Sequence, residues 1–139
     1  MKFSKYNPEG YYGPTAYEAF TNIETERRIA RFRPIVYVCS PYAGDTDANT
    51  QDARRYCRFA VDNGYIPLAP HLFFPQFMND ADPQERNLAM FMNMALMSKC
   101  AEVWVFGEYI SKGMAVEIRK AKEKRQPIRY FSTECKEVF

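Results

Sequence analysis

The feature that most constrains the fold of this 139-residue chain is the run Val103-Trp104-Val105-Phe106, followed by Gly107-Glu108-Tyr109-Ile110-Ser111 and then Lys112-Gly113-Met114-Ala115-Val116-Glu117-Ile118. Four consecutive apolar residues bounded by turn formers read as a strand buried on both faces, and the segment after Ser111 takes helical spacing. A doubly buried strand that delivers into a helix is the repeating unit of a parallel α/β sheet, since helices must cover both of its faces. The junction also carries chemistry. The unpaired N–H groups and the positive dipole end of the helix point into the crevice at the carboxyl edge of the sheet, where open α/β folds bind their ligands.

The same alternation runs through the chain from Pro34 onward. Ile35 to Cys39 is a short apolar run, Ser40-Pro41-Tyr42-Ala43-Gly44-Asp45 is a turn-rich loop, and Ala53, Tyr56, Cys57, Ala60 and Val61 share one helical face up to Gly64. Tyr65 to Ala69 gives a second strand, which Pro67 and Pro70 push toward a sheet edge. Asp82-Pro83-Gln84-Glu85 supplies an N-cap, a proline at the first helical position and an acidic third residue, so a helix is expected to about Ser98. Its expected buried face is Leu88, Phe91, Met92, Ala95 and Leu96. Met90, Met94 and Met97 lie beside it, so more than half of the circumference is apolar, which calls for burial between the sheet and a second subunit. Strand three is Glu102 to Phe106, a third helix runs from about Lys112 to Arg125, and Pro127 to Phe131 is a fourth strand. The expected fold is a single Rossmann-like (flavodoxin-like) three-layer α/β domain with a parallel sheet of about four to five strands and right-handed crossovers.

Residues 1–33 differ in kind from residues 34–139. Lys5 to Pro14 sets Pro8, Gly10, Gly13 and Pro14 among Tyr6, Tyr11 and Tyr12, an irregular aromatic arm. Thr15-Ala16-Tyr17-Glu18 has capping-box spacing and opens a helix expected to run to about Ile29. The arm and helix are expected to pack on the α/β domain.

Composition removes several classes of function. The 19 basic and 17 acidic residues leave a net charge of +2, with no basic block outside Lys120 to Arg125, so a nucleic-acid groove is not indicated. Cys39, Cys57, Cys100 and Cys135 show no CxxC spacing and are accompanied by one histidine, so no metal site is expected. With no membrane-length apolar stretch and no signal-peptide pattern at Met1-Lys2-Phe3-Ser4-Lys5, a reduced, cytoplasmic protein is the expectation.

Neither GxGxxG nor GxxxxGK[ST] occurs, and no cofactor is expected. A receiver-type phosphoacceptor is also excluded, because the first and third strands end in Cys39-Ser40 and Phe106-Gly107 rather than in carboxylates. Cys39 has a nucleophile's position but no neighbouring cation to lower its pKa, which favours a small buried residue. Three loops remain, Ser40 to Asp45, His71 to Gln76 and Gly107 to Ser111, together with Glu117 a turn and a half into its helix. Side chains lean toward a helix N-terminus, so Glu117 can reach the crevice; otherwise it is an exposed residue weakly paired with Lys120.

The segments Val36-Tyr37-Val38-Cys39-Ser40-Pro41-Tyr42-Ala43-Gly44 and Ser111-Lys112-Gly113-Met114-Ala115-Val116-Glu117 resemble the nucleoside 2-deoxyribosyltransferase-like superfamily, which includes the transferases and the 2′-deoxynucleoside 5′-phosphate N-hydrolases. The resemblance covers roughly Pro34 to Phe131, with a CSPYxGD loop, a PHLxFPQ segment and a WVFG…SxGMxxEI segment. It implies a small nucleoside or nucleotide as partner, with Glu117 as the carboxylate that attacks the anomeric carbon and Tyr37 as the tyrosine that holds it. It also implies that Ser111 and Gly113 open a 5′-phosphate site, that His71 falls near a histidine of the second loop, and that Ser40, Tyr42, Gly44, Asp45, Asn93 and Met114 line the substrate pocket. A homodimer or higher homo-oligomer is expected.

The chain also departs from that pattern. Asn93 stands where the superfamily usually carries an acidic aspartate, and Ala43 where the phosphate hydrolases carry an arginine. Asp45, Asp82 or Glu85 would have to supply the acid, and Arg54, Arg55 or Arg58 the cation. Two functions remain open: cleavage or transfer at an N-glycosidic bond, and a nucleotide-sensing protein that kept the crevice and lost the acid.

Overall fold

The computed structural model describes residues 32–139, and the N-terminal arm and helix expected before Pro34 lie outside them. The chain divides into two units, Met1–Arg33 and Pro34–Phe139. In the second unit β1 (Ile35–Cys39) leads to α1 (Thr46–Asp62), β2 (Ile66–Leu68), two 3₁₀ turns (Pro70–Leu72 and Phe74–Gln76), α2 (Pro83–Met97), β3 (Glu102–Phe106), α3 (Lys112–Glu123), β4 (Ile128–Phe131) and β5 (Glu137–Val138). The strands form one sheet in the order β2-β1-β3-β4-β5. The first four are parallel, with Val36 opposite Glu102, Cys39 opposite Val105 and Val103 opposite Ile128. β5 returns antiparallel against β4, a short addition that the sequence reading did not resolve. β2, with its proline, is an edge strand as expected.

The strand period of two divides the core into two layers. Val36, Val38, Trp104 and Phe106 point to one face, where Tyr56 and Ala60 of α1 cover them. Tyr37, Cys39, Val103 and Val105 point to the other, against Met97 of α2 and Met114 and Ala121 of α3. On the first face Tyr56, Phe106 and Phe131 stack in a column, with centroids 4.2 and 5.0 Å apart. The expected three-layer α/β domain is the one observed.

The helix boundaries follow local chemistry. Asp45 caps α1 by accepting from the Ala48 N–H at 3.1 Å, and Asp82 caps α2 by accepting from the Gln84 N–H at 3.0 Å. Ser111 caps α3, its Oγ accepting from the Met114 N–H at 3.2 Å.

The expected buried face of α2 requires correction. Leu88 and Phe91 are 49% and 71% exposed and Ala95 is exposed, whereas Met97 is fully buried and Met94 packs on the core. A helix apolar over most of its circumference has no unique stripe, so periodicity cannot choose which side meets the sheet. Packing against Val103 and Val105 makes that choice.

Candidate functional site

The order β2-β1-β3 creates a topological switch point, because the chain leaves β1 toward α1 on one face and leaves β3 toward α3 on the other. The two loops part there and open a crevice of about 230 Å³ at the carboxyl ends of β1 and β3. Ser40, Pro41 and Ala43 form one wall, Gly107, Glu108 and Tyr109 the other, with Tyr56 and Phe106 below. Gly107 adopts φ +89°, and a β-carbon there would lie 3.4 Å from Thr133 Cγ2, so the turn after β3 depends on glycine.

Glu117 lies in the second turn of α3 and is 8% exposed. Among the described residues it is the only buried carboxylate. Tyr37 and Cys39, two residues apart and therefore on the same face of β1, both point at it. The Tyr37 hydroxyl donates to Glu117 Oε2 and the Cys39 thiol to Oε1 at 3.9 Å. Burial pushes the Glu117 carboxyl up to about 7, against which the hydrogen bonds from Tyr37 and Cys39 work. Burial, reinforced by the charge of Glu117, also raises the Tyr37 hydroxyl and the Cys39 thiol well above their ordinary values, so both remain protonated donors. The site thus holds a carboxyl group poised between its two forms at neutral pH and aimed from a helix at the end of β1. Lys120 pairs with Glu123 at 3.9 Å, not with Glu117.

Beside this pair, Ser40 Oγ and His71 Nε2 lie 3.0 Å apart, with the Tyr42 ring edge-on to the imidazole at 6.3 Å. Burial lowers the His71 pKa to about 4, so the ring is neutral near pH 7 and not a ready proton donor. Gly44, at φ +98°, turns the chain into α1. Asn49 spends its amide N–H groups on the Tyr42 and Ala43 carbonyls at 3.0 and 3.1 Å, fixing the loop.

At the α2–α3 seam, a β-carbon on Gly113 would lie 3.4 Å from the Met90 Cε, so the two helices approach closely there. Asn93 is one turn beyond Met90 and Glu117 one turn beyond Gly113. Asn93 Oδ1 is buried and has no hydrogen-bond partner among the described residues, and a buried acceptor of this kind calls for a donor from a ligand or water. Met114 is in the core, 1% exposed.

The three carboxylates expected to stand in for the missing acid are each engaged elsewhere. Asp45 and Asp82 cap helices, and Glu85 accepts from the Asn79 N–H at 3.5 Å. Of the candidate cations, Arg55 pairs with Asp52 and Arg58 with Asp62. Among the described residues no group of three or more His, Cys, Asp or Glu side chains is arranged to hold a metal ion, and no helix is long and apolar enough to cross a membrane.

Sequence reasoning missed some of the crevice lining. Asn49, Asp52 and Tyr56 share one face of α1, and their spacing of three and four residues directly after the first loop was the available signal. Thr133, in the β4–β5 turn, carried none. Cys39 is buried as expected, but it also faces the carboxylate.

Fold and site together define an open, flavodoxin-ordered α/β domain with a tyrosine-bound carboxyl group beside its switch point. Residues 34–131 match the family described as "Domain of unknown function (DUF7768)", and the chain belongs to that family. A solved structure reported as a 2-deoxyribosyltransferase from the psychrotolerant bacterium Bacillus psychrosaccharolyticus has a similar fold, with a TM-score of 0.55 and 16% identity over 70% of this chain and 72% of that one. No curated protein matches the chain.

Proposed function

We propose that the protein cleaves or transfers at the N-glycosidic bond of a (deoxy)nucleoside or its 5′-monophosphate, with Glu117 as the nucleophile. The observation that carries this reading is the buried Glu117 carboxyl group held by Tyr37 and Cys39 at the end of β1. The likeness of the fold to a 2-deoxyribosyltransferase adds support.

In the first step the ionised carboxylate attacks the anomeric carbon. A C–O bond forms as the C–N bond breaks, and the base leaves with the electron pair and takes up a proton. In the second step water or another base displaces Glu117 and restores the carboxylate. Tyr37, protonated throughout, orients the attacking carboxylate, and the buried setting strengthens the charge interaction with the developing glycosyl cation. A 5′-phosphate, where present, would sit on the first-turn N–H groups of Lys112 and Gly113, with the Ser111 hydroxyl as a further donor.

A second reading is a nucleotide-binding protein without turnover. It is favoured by the lack of a second buried carboxyl group among the described residues, and by an amide, Asn93, in place of an acid at the seam. Incubating the protein with deoxynucleosides and their monophosphates, with free base measured by chromatography across pH 5 to 9, separates the two. Glycosidic cleavage predicts base release that rises as pH passes through about 7, where Glu117 ionises. Binding of substrate with no base released at any pH would leave the second reading.

A further inference from the structure

Glu117 is buried without a counter-ion. Among the described residues no Lys, Arg or His side chain pairs with it, and its two partners are the neutral donors Tyr37 and Cys39. The cations that follow it in α3, Arg119, Lys120 and Lys124, line a groove between α2 and α3 that does not include Glu117, and Lys120 pairs with Glu123. A buried unpaired charge is costly, so the ionised carboxylate that attack requires lacks a partner until a ligand brings one. The neighbouring helix adds charge of the same sign. Asn93 Oδ1, buried and without a partner among the described residues, is the negative end of an amide dipole at the α2–α3 seam.

The same groups have no proton to give. Tyr37 and Cys39 are held protonated by burial and by the charge of Glu117, His71 is neutral near pH 7, and an amide such as Asn93 is not an acid. Asp45 and Asp82 serve helix starts, and Glu85 accepts from Asn79. The base of an ordinary nucleoside leaves as an anion unless an acid protonates it, whereas a base that already carries a positive charge leaves neutral. We infer that the substrate is an N-glycoside of a cationic heterocycle, an N-alkylpyridinium or an N7-alkylpurinium, whose positive ring is the counter-ion that Glu117 lacks. This rests on the glycosidic reading above and narrows its substrate class. The carboxylate forms the C–O bond, the C–N electron pair passes to the ring nitrogen and cancels its charge, and the neutral base departs. Water then attacks the anomeric carbon, which restores the carboxylate and releases one proton.

The test is base release by the full chain from nicotinamide riboside and from 7-methylguanosine against guanosine, the purine pair in both ribo and 2′-deoxy form, each rate divided by its spontaneous rate. The cationic substrates should be accelerated about 100-fold or more beyond guanosine, the share that a general acid otherwise contributes. Asn93→Asp should narrow that gap about tenfold by supplying an acid to the neutral base; an unmoved gap would overturn the place given to Asn93. Guanosine accelerated as much as 7-methylguanosine would overturn the inference while leaving Glu117 as nucleophile, and a proton donor supplied from residues 1–31 would show itself in this way. Release from none of them would remove the glycosidic reading. Calorimetry with nicotinamide riboside and its neutral dihydro form then decides the ligand class: binding of the pyridinium form about tenfold tighter or more upholds it, and equal binding overturns it.

Discussion

Replacing Glu117 with glutamine should stabilise the protein, and by an amount that depends on pH. The carboxyl group has a folded-state pKa of about 7, against an ordinary value of 4.5. The folded state therefore retains a proton that the unfolded chain releases. Between those two values stability falls as pH rises, by about 1.4 kcal/mol per pH unit, and the total approaches roughly 3 kcal/mol. Below about pH 4.5 both states are protonated and wild type and variant should differ by a constant. The gap should then widen in favour of glutamine up to about pH 7 and stay level beyond. Glutamine retains an acceptor for the Tyr37 hydroxyl, so the side-chain hydrogen bond persists. The assay is urea unfolding of both proteins at intervals from pH 4 to 8.5. His71 is common to both proteins, so its opposite slope, destabilising the fold as pH drops from 6.5 toward 4, cancels in the difference. A wild-type-minus-variant difference that stays flat from pH 4.5 to 7 would refute the claim that burial holds this carboxyl group protonated.

Ser111→Ala removes the cap on the Met114 N–H and should cost about 1 kcal/mol in urea unfolding; if a phosphate sits at this helix start, calorimetry should also show a monophosphate losing more affinity than its nucleoside. Asn93→Asp supplies a carboxyl group at the seam and should raise base release about 10- to 100-fold, as for a gained general acid; unchanged kcat would show that residue 93 does not reach the leaving base. Gly107→Ala must hold a β-carbon at φ +89° and 3.4 Å from Thr133, and should lower stability by about 1 to 2 kcal/mol, read from the shift in the unfolding midpoint.

The sheet was legible because β1, β3 and β4 are short apolar runs separated by helices, a pattern that admits little besides a parallel α/β layer. Caps were equally legible at Asp82 and Ser111, where a side-chain acceptor precedes helical spacing. The orientation of α2 was not, because Leu88, Phe91, Met94 and Met97 are similarly apolar and only tertiary packing decides which of them meets the sheet. The Glu117–Tyr37 contact joins residues 80 positions apart. Spacing put Glu117 in reach of the crevice, yet it is not among the residues that line it and instead meets Tyr37 and Cys39 on the other face of the sheet. Resemblance alone suggested Tyr37, and nothing local marked Glu117 as buried rather than as an exposed partner of Lys120. The parts played by Asp45 and Asp82 show the converse. Each is a carboxylate near the right loops, and each serves its own helix start.

The central claim is that Glu117 forms a bond to the sugar, and intact-protein mass spectrometry tests it most directly. Wild type mixed with a deoxynucleoside or its monophosphate and quenched within seconds should carry one added glycosyl mass. Peptide mapping should place that mass on Glu117, with a yield that grows as pH rises through about 7. Glu117→Gln at the same concentration should show neither adduct nor base release. Undiminished base release by the variant, with no adduct on the wild type, would contradict the account.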